Sequence, residues 1–338
     1  MSSGRCTEGH TAAGGYTQYG FPLPTLEVTM LPLVGNLAAP VRPVLSRAGY
    51  SRRRVYILFL LPALIVIFAV IIFPWIFTIW MSMNDWQIGM GMQRSFIGLS
   101  NFWKLATNTR FLETIPRTLY FTLLSVLAPL VLGVFAAEVF HQRFPLRGLL
   151  RGIYILPMMT TPVAIALVFI MMYHPQIGVL NYLLNLVGIP KQLWVYDKNS
   201  VIWALVLVET WQWTPLIMLI VLGGLAALPT DPYESALIDG ASRWDMFRFI
   251  TLPLVLPFLM VALIIRAIDA LKSFDIIFVM TQGGPGTASE TINIYLYLQA
   301  FSFFNIGHAS AVGIVFFVII LALAVVLLAA RERLRWTR

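Results

Sequence analysis

Lysine is scarce in this 338-residue chain. Its four lysines, Lys104, Lys191, Lys198 and Lys272, each follow a residue other than glycine, so the Gly-Lys-Ser/Thr loop that cradles nucleotide phosphates is absent and no ATPase site of that kind is present. Cysteine is confined to Cys6, which excludes an internal disulfide framework and a cysteine-rich metal site. His10, His141, His174 and His308 are too dispersed to suggest a metal centre, and no nucleophile-elbow pattern occurs. No catalytic residue, metal ligand or cofactor is therefore assigned to the chain. Charge is also sparse, at 11% of residues against 59% hydrophobic, a balance that no soluble domain of this length tolerates on its surface. The expected fold is an all-α polytopic membrane protein.

Residues 1–46 are rich in Gly, Pro and Thr without helical periodicity and are expected to form a disordered tail. The apolar segment after Arg52-Arg53-Arg54 runs on to Trp80, too long for a secretory signal core and long enough to span. With about 20 apolar residues needed per crossing, six spans are expected within residues 47–338. They are Val55 to Trp80, about Ile115 to Phe140, about Gly152 to Tyr173, Val201 to Leu228, Leu252 to Met280, and Ile306 to Ala330. Pro62, Pro74, Pro157 and Pro162 fall inside spans, where they imply either bent helices around a pathway or ordinary packing kinks.

The net charge of +8 is scattered at the ends of the apolar runs, which fits membrane orientation better than nucleic-acid binding. One side collects Arg47, Arg52 to Arg54, Arg143, Arg147, Arg151, Arg243, Arg248, Arg331, Arg333, Arg335 and Arg338. The other has Arg94, Lys104, Arg110, Lys191 and Lys198, and none after the fifth span. By the positive-inside rule both termini and the loop after the fourth span are cytoplasmic.

That loop, within Asp231 to Pro257, is a polar island between apolar runs. Asp231 is placed to cap a helix opening on Pro232, Glu234 suits the first turn, and Gly240 supplies the left-handed residue that ends it. Ser242 and Asp245 resemble a second cap, after which Trp244, Phe247 and Arg248 lie at helical spacing and the helix is expected to end near Leu252-Pro253. Two short helices at a corner outside the membrane, with aromatic and acidic groups to offer, form a docking surface.

These residues carry a resemblance. Glu234, Ser235, Ala236, three residues, Gly240, nine residues, then Ile250, Thr251, Leu252 and Pro253 resemble the cytoplasmic loop of permease subunits of binding-protein-dependent ABC importers, departing from the usual Glu-Ala-Ala opening only at Ser235. The likeness runs from about Arg52 to the C-terminus and extends to the carbohydrate branch of that family. It includes Phe96 to Phe102 (FIGLSNF), Gly178 to Asn181 (GVLN), Ser273-Phe274-Asp275 and Met280 to Gly286 (MTQGGPG).

The resemblance implies that residues 229–252 are the coupling loop of a six-helix permease in a bacterial cytoplasmic membrane. Glu234, Ser235, Ala236, Asp239, Gly240, Arg243, Trp244 and Phe247 would then dock a cytoplasmic ATPase. It also implies a second, homologous permease, two ATPase subunits that bind ATP and Mg, an extracytoplasmic solute-binding protein and a sugar substrate.

Ionisable residues inside spans line cavities or pair with one another. Arg266, Asp269, Lys272 and Asp275 form a ladder of alternating sign in the fifth span, and at ~1.5 Å per residue Glu209, Trp211, Gln212 and Trp213 of the fourth fall at a similar depth. Such a mixture suits a sugar, whose hydroxyls want polar partners and whose C–H faces pack on aromatic rings. The alternative is that the charges neutralise one another between helices and the tryptophans pack on lipid or a partner. An ion-coupled secondary transporter using Glu209 and Asp269 is the rival function, although no inverted internal repeat is apparent.

Overall fold

The structure is a computed structural model that describes residues 48–88 and 95–336. The expected tail, residues 1–46, lies outside the described residues, as do Arg47, Arg94 and Arg338. Two compact units are distinguished, Met1–Leu60 and Leu61–Arg338. The described part of the first is the start of helix α1 (Ala48–Ile67), which is exposed from Val55 onward.

In the second unit the chain continues through a π turn at Phe68–Ile72 into α2 (Phe73–Ser82). A two-residue ribbon, β1 (Asn84–Asp85) against β2 (Ser95–Phe96), is a small exception to the all-α expectation. Then come α3 (Ser100–Thr107), α4 (Thr109–His141), α5 (Arg147–Met159), α6 (Pro162–Met172), α7 (Val179–Leu186) and α8 (Val201–Leu225). The remainder is α9 (Asp231–Ile238), α10 (Arg243–Met246), α11 (Leu252–Leu271), α12 (Asp275–Thr281), α13 (Ile292–Tyr297) and α14 (Ile306–Trp336).

Among the described residues, five helical stretches are long and apolar enough to cross a membrane: Val55–Ser82, Thr109–His141, Val201–Leu225, Arg243–Leu271 and Ile306–Arg333. The expected third span is not one helix. It is the pair α5 and α6, bent by 97°. Pro162 explains the break, because proline pushes its predecessor out of the helical region, and both Thr160 and Thr161 are extended.

The fifth span also differs from expectation at both ends. It starts at Arg243 rather than Leu252, because the helix passes through Pro253 by way of a π turn at Phe247–Thr251. There the Leu252 N–H bonds the Phe247 carbonyl, five residues back, and the wider turn makes room for a ring that would otherwise press on the carbonyl four residues before it. The same device precedes Pro74, where the Phe73 N–H bonds the Phe68 carbonyl. At the other end α11 stops at Leu271, and Asp275 opens a separate helix.

Helix α8 is the most buried of the candidate spans, with 61% of its apolar window inside. Most of its faces meet other helices, while Trp203, Leu207 and Trp211 form one exposed apolar stripe at helical spacing. Its first half, from Val201 to Val208, packs on Ile165, Phe169 and Tyr173 around α6 and on Ile276 and Ile277 of α12. Its second half, from Ile217 to Leu225, packs on Ala136, Ala137 and Phe140 of α4, on Val255 and Leu259 of α11, and on Tyr154 and Ile155 of α5. The bent pair therefore meets both halves of α8, α5 beside the C-terminal half and α6 beside the N-terminal half, and the Tyr173 hydroxyl donates to the Ala204 carbonyl at 2.9 Å. α4 approaches α8 closely at Gly133, where an added Cβ would lie 2.6 Å from the Ile217 side chain.

At the opposite end of α4, Phe111 joins Leu105, Ile292, Tyr295 and Val312 in a further cluster. The glycine-rich loop before α13 is tied down there. Buried Glu290 accepts two hydrogen bonds from Arg110, at 3.0 and 2.8 Å, and its carbonyl accepts from Arg117 at 2.9 Å.

Candidate functional site

Two places gather the residues singled out above: the corner between α8 and α11, and a buried polar cluster midway along those helices.

At the corner, α9 carries Asp231 and Glu234 in its first turn, where carboxylates interact favourably with the helix dipole, with Pro232 at a position needing no N–H. Asp231 is not the cap. It is the first helical residue, and Thr230 precedes it without a side-chain bond. The helix ends in a Schellman arrangement: the Ala241 N–H donates to the Ala236 carbonyl at 2.9 Å and the Gly240 N–H to the Leu237 carbonyl at 3.2 Å, with Gly240 at φ +78°.

Two residues on, Ser242 and Asp245 form a reciprocal capping box. Ser242 Oγ accepts from the Asp245 N–H at 3.2 Å, and Asp245 Oδ2 accepts from the Ser242 N–H at 3.2 Å. The hydroxyl also donates to Asp245 Oδ2 at 2.5 Å. Trp244 stacks on Phe247 at 5.6 Å. The expected second short helix is in fact the first turn of the fifth span, so the corner is one separate helix hinged directly onto a spanning one.

Glu234, Ser235, Asp239, Gly240, Arg243 and Trp244 are exposed, whereas Ala236 and Phe247 are half-buried. Two features were missed from sequence. Tyr233 donates to Thr251 Oγ1 at 3.0 Å, bracing α9 against the base of α11. Leu237 and Ile238 stand out at the end of α9, Ile238 at 87% exposure, although both belong to a polar stretch. The corner overhangs a groove of about 1330 Å³ bordered by Glu138 and Gln142 of the α4 end and by Tyr233, Trp244 and Thr251.

In the polar cluster, the depth arithmetic brings Glu209 and Arg266 together, and they form an ion pair with both side chains almost fully buried. Arg266 also donates to Asp269 Oδ2 at 2.9 Å and lies over the Trp213 ring at 5.1 Å. Ser273 Oγ donates to the other Glu209 oxygen at 2.7 Å. Both oxygens of the carboxylate are thus engaged between α8 and the α11 end, and the network is closed apart from Arg266 Nε.

The four-member ladder along one helix does not exist. Lys272 lies one residue beyond the end of α11, and Asp275 opens α12. Both are exposed, and neither forms an ion pair among the described residues. Trp211 points the other way. It is 48% exposed, meets Phe169 edge-on at 5.4 Å, and lines a cavity of about 1210 Å³ with Trp194, Trp203, Thr210 and Thr214. Gln212 is buried, its Nε2 donating to the Thr160 carbonyl at 3.3 Å across the break between α5 and α6.

Residues 129–334, from mid-α4 through both places, match the model of the binding-protein-dependent transport system inner membrane component family. The chain belongs to that family. As a binding-protein-dependent transport component it is 36% identical over 286 residues to the trehalose/maltose transport system permease protein MalF of Thermococcus litoralis, covering 84% of this chain and 95% of that one. It is 32% identical to the sulfoquinovosyl glycerol transport system permease protein SmoG of Agrobacterium fabrum, covering 82% and 90%. The trehalose transport system permease protein SugA of Mycobacterium tuberculosis is 31% identical, covering 81% and 88%. Among solved structures, a chain of a bacterial ABC transporter that imports the acidic polysaccharide alginate superposes with a TM-score of 0.73 at 23% identity, over 85% of this chain and 99% of that one, a likeness of fold.

Proposed function

We propose that the chain is a permease subunit of an ATP-driven ABC importer and forms part of the path by which a sugar or related carbohydrate crosses the cytoplasmic membrane. The observation that carries this reading is membership of the transport family along most of the chain, with relatives named for trehalose, maltose and sulfoquinovosyl glycerol transport. The corner supports the manner of coupling. Its signals at Gly240 and Ser242 are local, it is exposed and free of internal apolar cover at Leu237 and Ile238, and its second part, from Arg243, is continuous with α11. ATP and Mg would be held by two ATPase subunits docked at Glu234 to Phe247. A second permease would complete the path, and an extracytoplasmic binding protein would deliver the sugar.

The bent pair counts as one crossing in this proposal, giving six. Its contact with both halves of α8 supports that count. So does charge, since a re-entrant pair would put Arg243, Arg248, Arg331 and Arg333 on the opposite side from Arg52 to Arg54. Residues 47–338 are then the transmembrane domain, with both termini cytoplasmic and residues 1–46 a cytoplasmic tail.

Of the pathway candidates, Glu209, Arg266, Asp269 and Trp213 are assigned to holding α8 against α11, while Trp211, Lys272 and Asp275 stay open to a passing solute. The engaged state of Glu209 counts against its use as a proton or sodium site. The test is sugar uptake into proteoliposomes holding the complete transporter and its binding protein. Accumulation that requires internal-face ATP and follows the sugar preference of the binding protein is expected. Uptake driven by a proton or sodium gradient without ATP would overturn the reading in favour of an ion-coupled carrier.

A further inference from the structure

At the α4–α5 connection, His141, Arg143, Arg147 and Arg151 surround a recess of about 430 Å³ whose apolar floor includes Leu222 and Gly223 of α8. We infer that this recess binds the headgroup of an acidic phospholipid. Several unfavourable terms converge there, and one bound anion relieves them all. Arg147 and Arg151 are half-buried and stand four residues apart on one helix, where like charges repel. Arg147 also occupies the first turn of α5, where a cation opposes the helix dipole and where no acidic residue offsets it. The N-cap is Leu146, which offers no side-chain acceptor to the turn. None of the four basic residues forms an ion pair among the described residues.

The recess lies where the spans end, beside the last turns of α8 that lead to the corner. Above it α5 presents exposed Leu149, Leu150 and Ile153. A phosphodiester headgroup with acyl chains matches both the basic pocket and the apolar helix face beyond it, whereas free phosphate matches only the first. Basic pockets between spans on the cytoplasmic side are a recognised setting for such headgroups.

The full chain, purified in detergent, is titrated with phosphatidylglycerol and phosphatidylcholine, and bound lipid is counted by native mass spectrometry. Phosphatidylglycerol is expected to be retained over phosphatidylcholine. Its affinity should fall about thirtyfold in the Arg147→Gln, Arg151→Gln double variant, given roughly 1 kcal/mol for each of two basic residues near a lipid surface. Arg147→Lys with Arg151→Lys should keep binding, which separates loss of charge from misfolding. Arg331→Gln with Arg333→Gln removes the same charge elsewhere and should leave binding unchanged. An equal loss in that control would reduce the effect to general surface charge and sink the inference. Displacement by excess inorganic phosphate would make it a free-anion site instead. Unchanged lipid retention with loss of co-purifying ATPase subunits in the glutamine variant would make it a protein contact. Each of these readouts is independent of sugar uptake.

Discussion

Arg266 is buried with one of its two carboxylate partners buried and the other half exposed, and this asymmetry sets what each contributes. Removing Glu209 leaves a guanidinium deep between two helices with only Asp269 and the Trp213 ring, and breaking a buried pair costs on the order of 3–5 kcal/mol. Removing Asp269, whose side chain is 49% exposed, should cost no more than about 1 kcal/mol. Glu209→Ala is therefore expected to lower the unfolding temperature of the purified chain far more than Asp269→Ala. Glu209→Ala combined with Arg266→Met, which removes both buried charges, should recover much of the loss. Equal shifts for the two single variants would show that the pair does not hold α8 to α11. The sequence placed Glu209 and Arg266 at one depth because helix rise is uniform. It could not place Ser273 at the second carboxylate oxygen, since that contact depends on where α11 ends.

At the scale of elements, the corner is legible because its stop and start signals are local. Gly240 ends α9 and Ser242 with Asp245 begins the next helix, each by bonds spanning a few residues. The same local logic misjudged proline. Leu252-Pro253 reads as an ending, yet a π turn carries the helix through it, and nothing local in the sequence distinguishes that outcome from a break. Thr161-Pro162 reads as a tolerable kink and proves to be a 97° bend. The difference lies in neighbours, since tertiary packing decides whether freed carbonyls are better met by a wider turn or by opening the chain.

On the proposed coupling, a displacement of the corner would reach α11 through the π turn and the Tyr233–Thr251 bond. Gly240→Pro, incompatible with φ +78°, should abolish sugar-stimulated ATP hydrolysis by the assembled transporter without lowering the amount of inserted chain. Tyr233→Phe, losing one hydrogen bond worth about 1 kcal/mol, should reduce stimulation only partly. Full stimulation in the Gly240→Pro variant would detach the corner from the ATPase.

At the scale of the whole molecule, everything turns on whether the bent pair crosses. Hydropathy located the apolar run but not the bend, and a 97° break is the geometry of both a broken span and a re-entrant loop. In favour of the proposed crossing, α5 joins the cluster at the C-terminal half of α8 and α6 the cluster at its N-terminal half. The two topologies make opposite statements about Lys198, in the connection to α8, relative to Lys104, in α3. With one crossing by the pair, Lys104 and Lys198 face the same side and Ser235 the other. With none, Lys198 changes sides and Ser235 joins Lys104. In a Cys6→Ser background, Lys104→Cys and Lys198→Cys should both react with a membrane-impermeant maleimide added to intact cells, and Ser235→Cys should react only in inverted vesicles. Labelling of Ser235→Cys from outside, with Lys198→Cys protected, would put the corner beyond reach of any cytoplasmic ATPase and would remove the physical basis for ATP coupling through it.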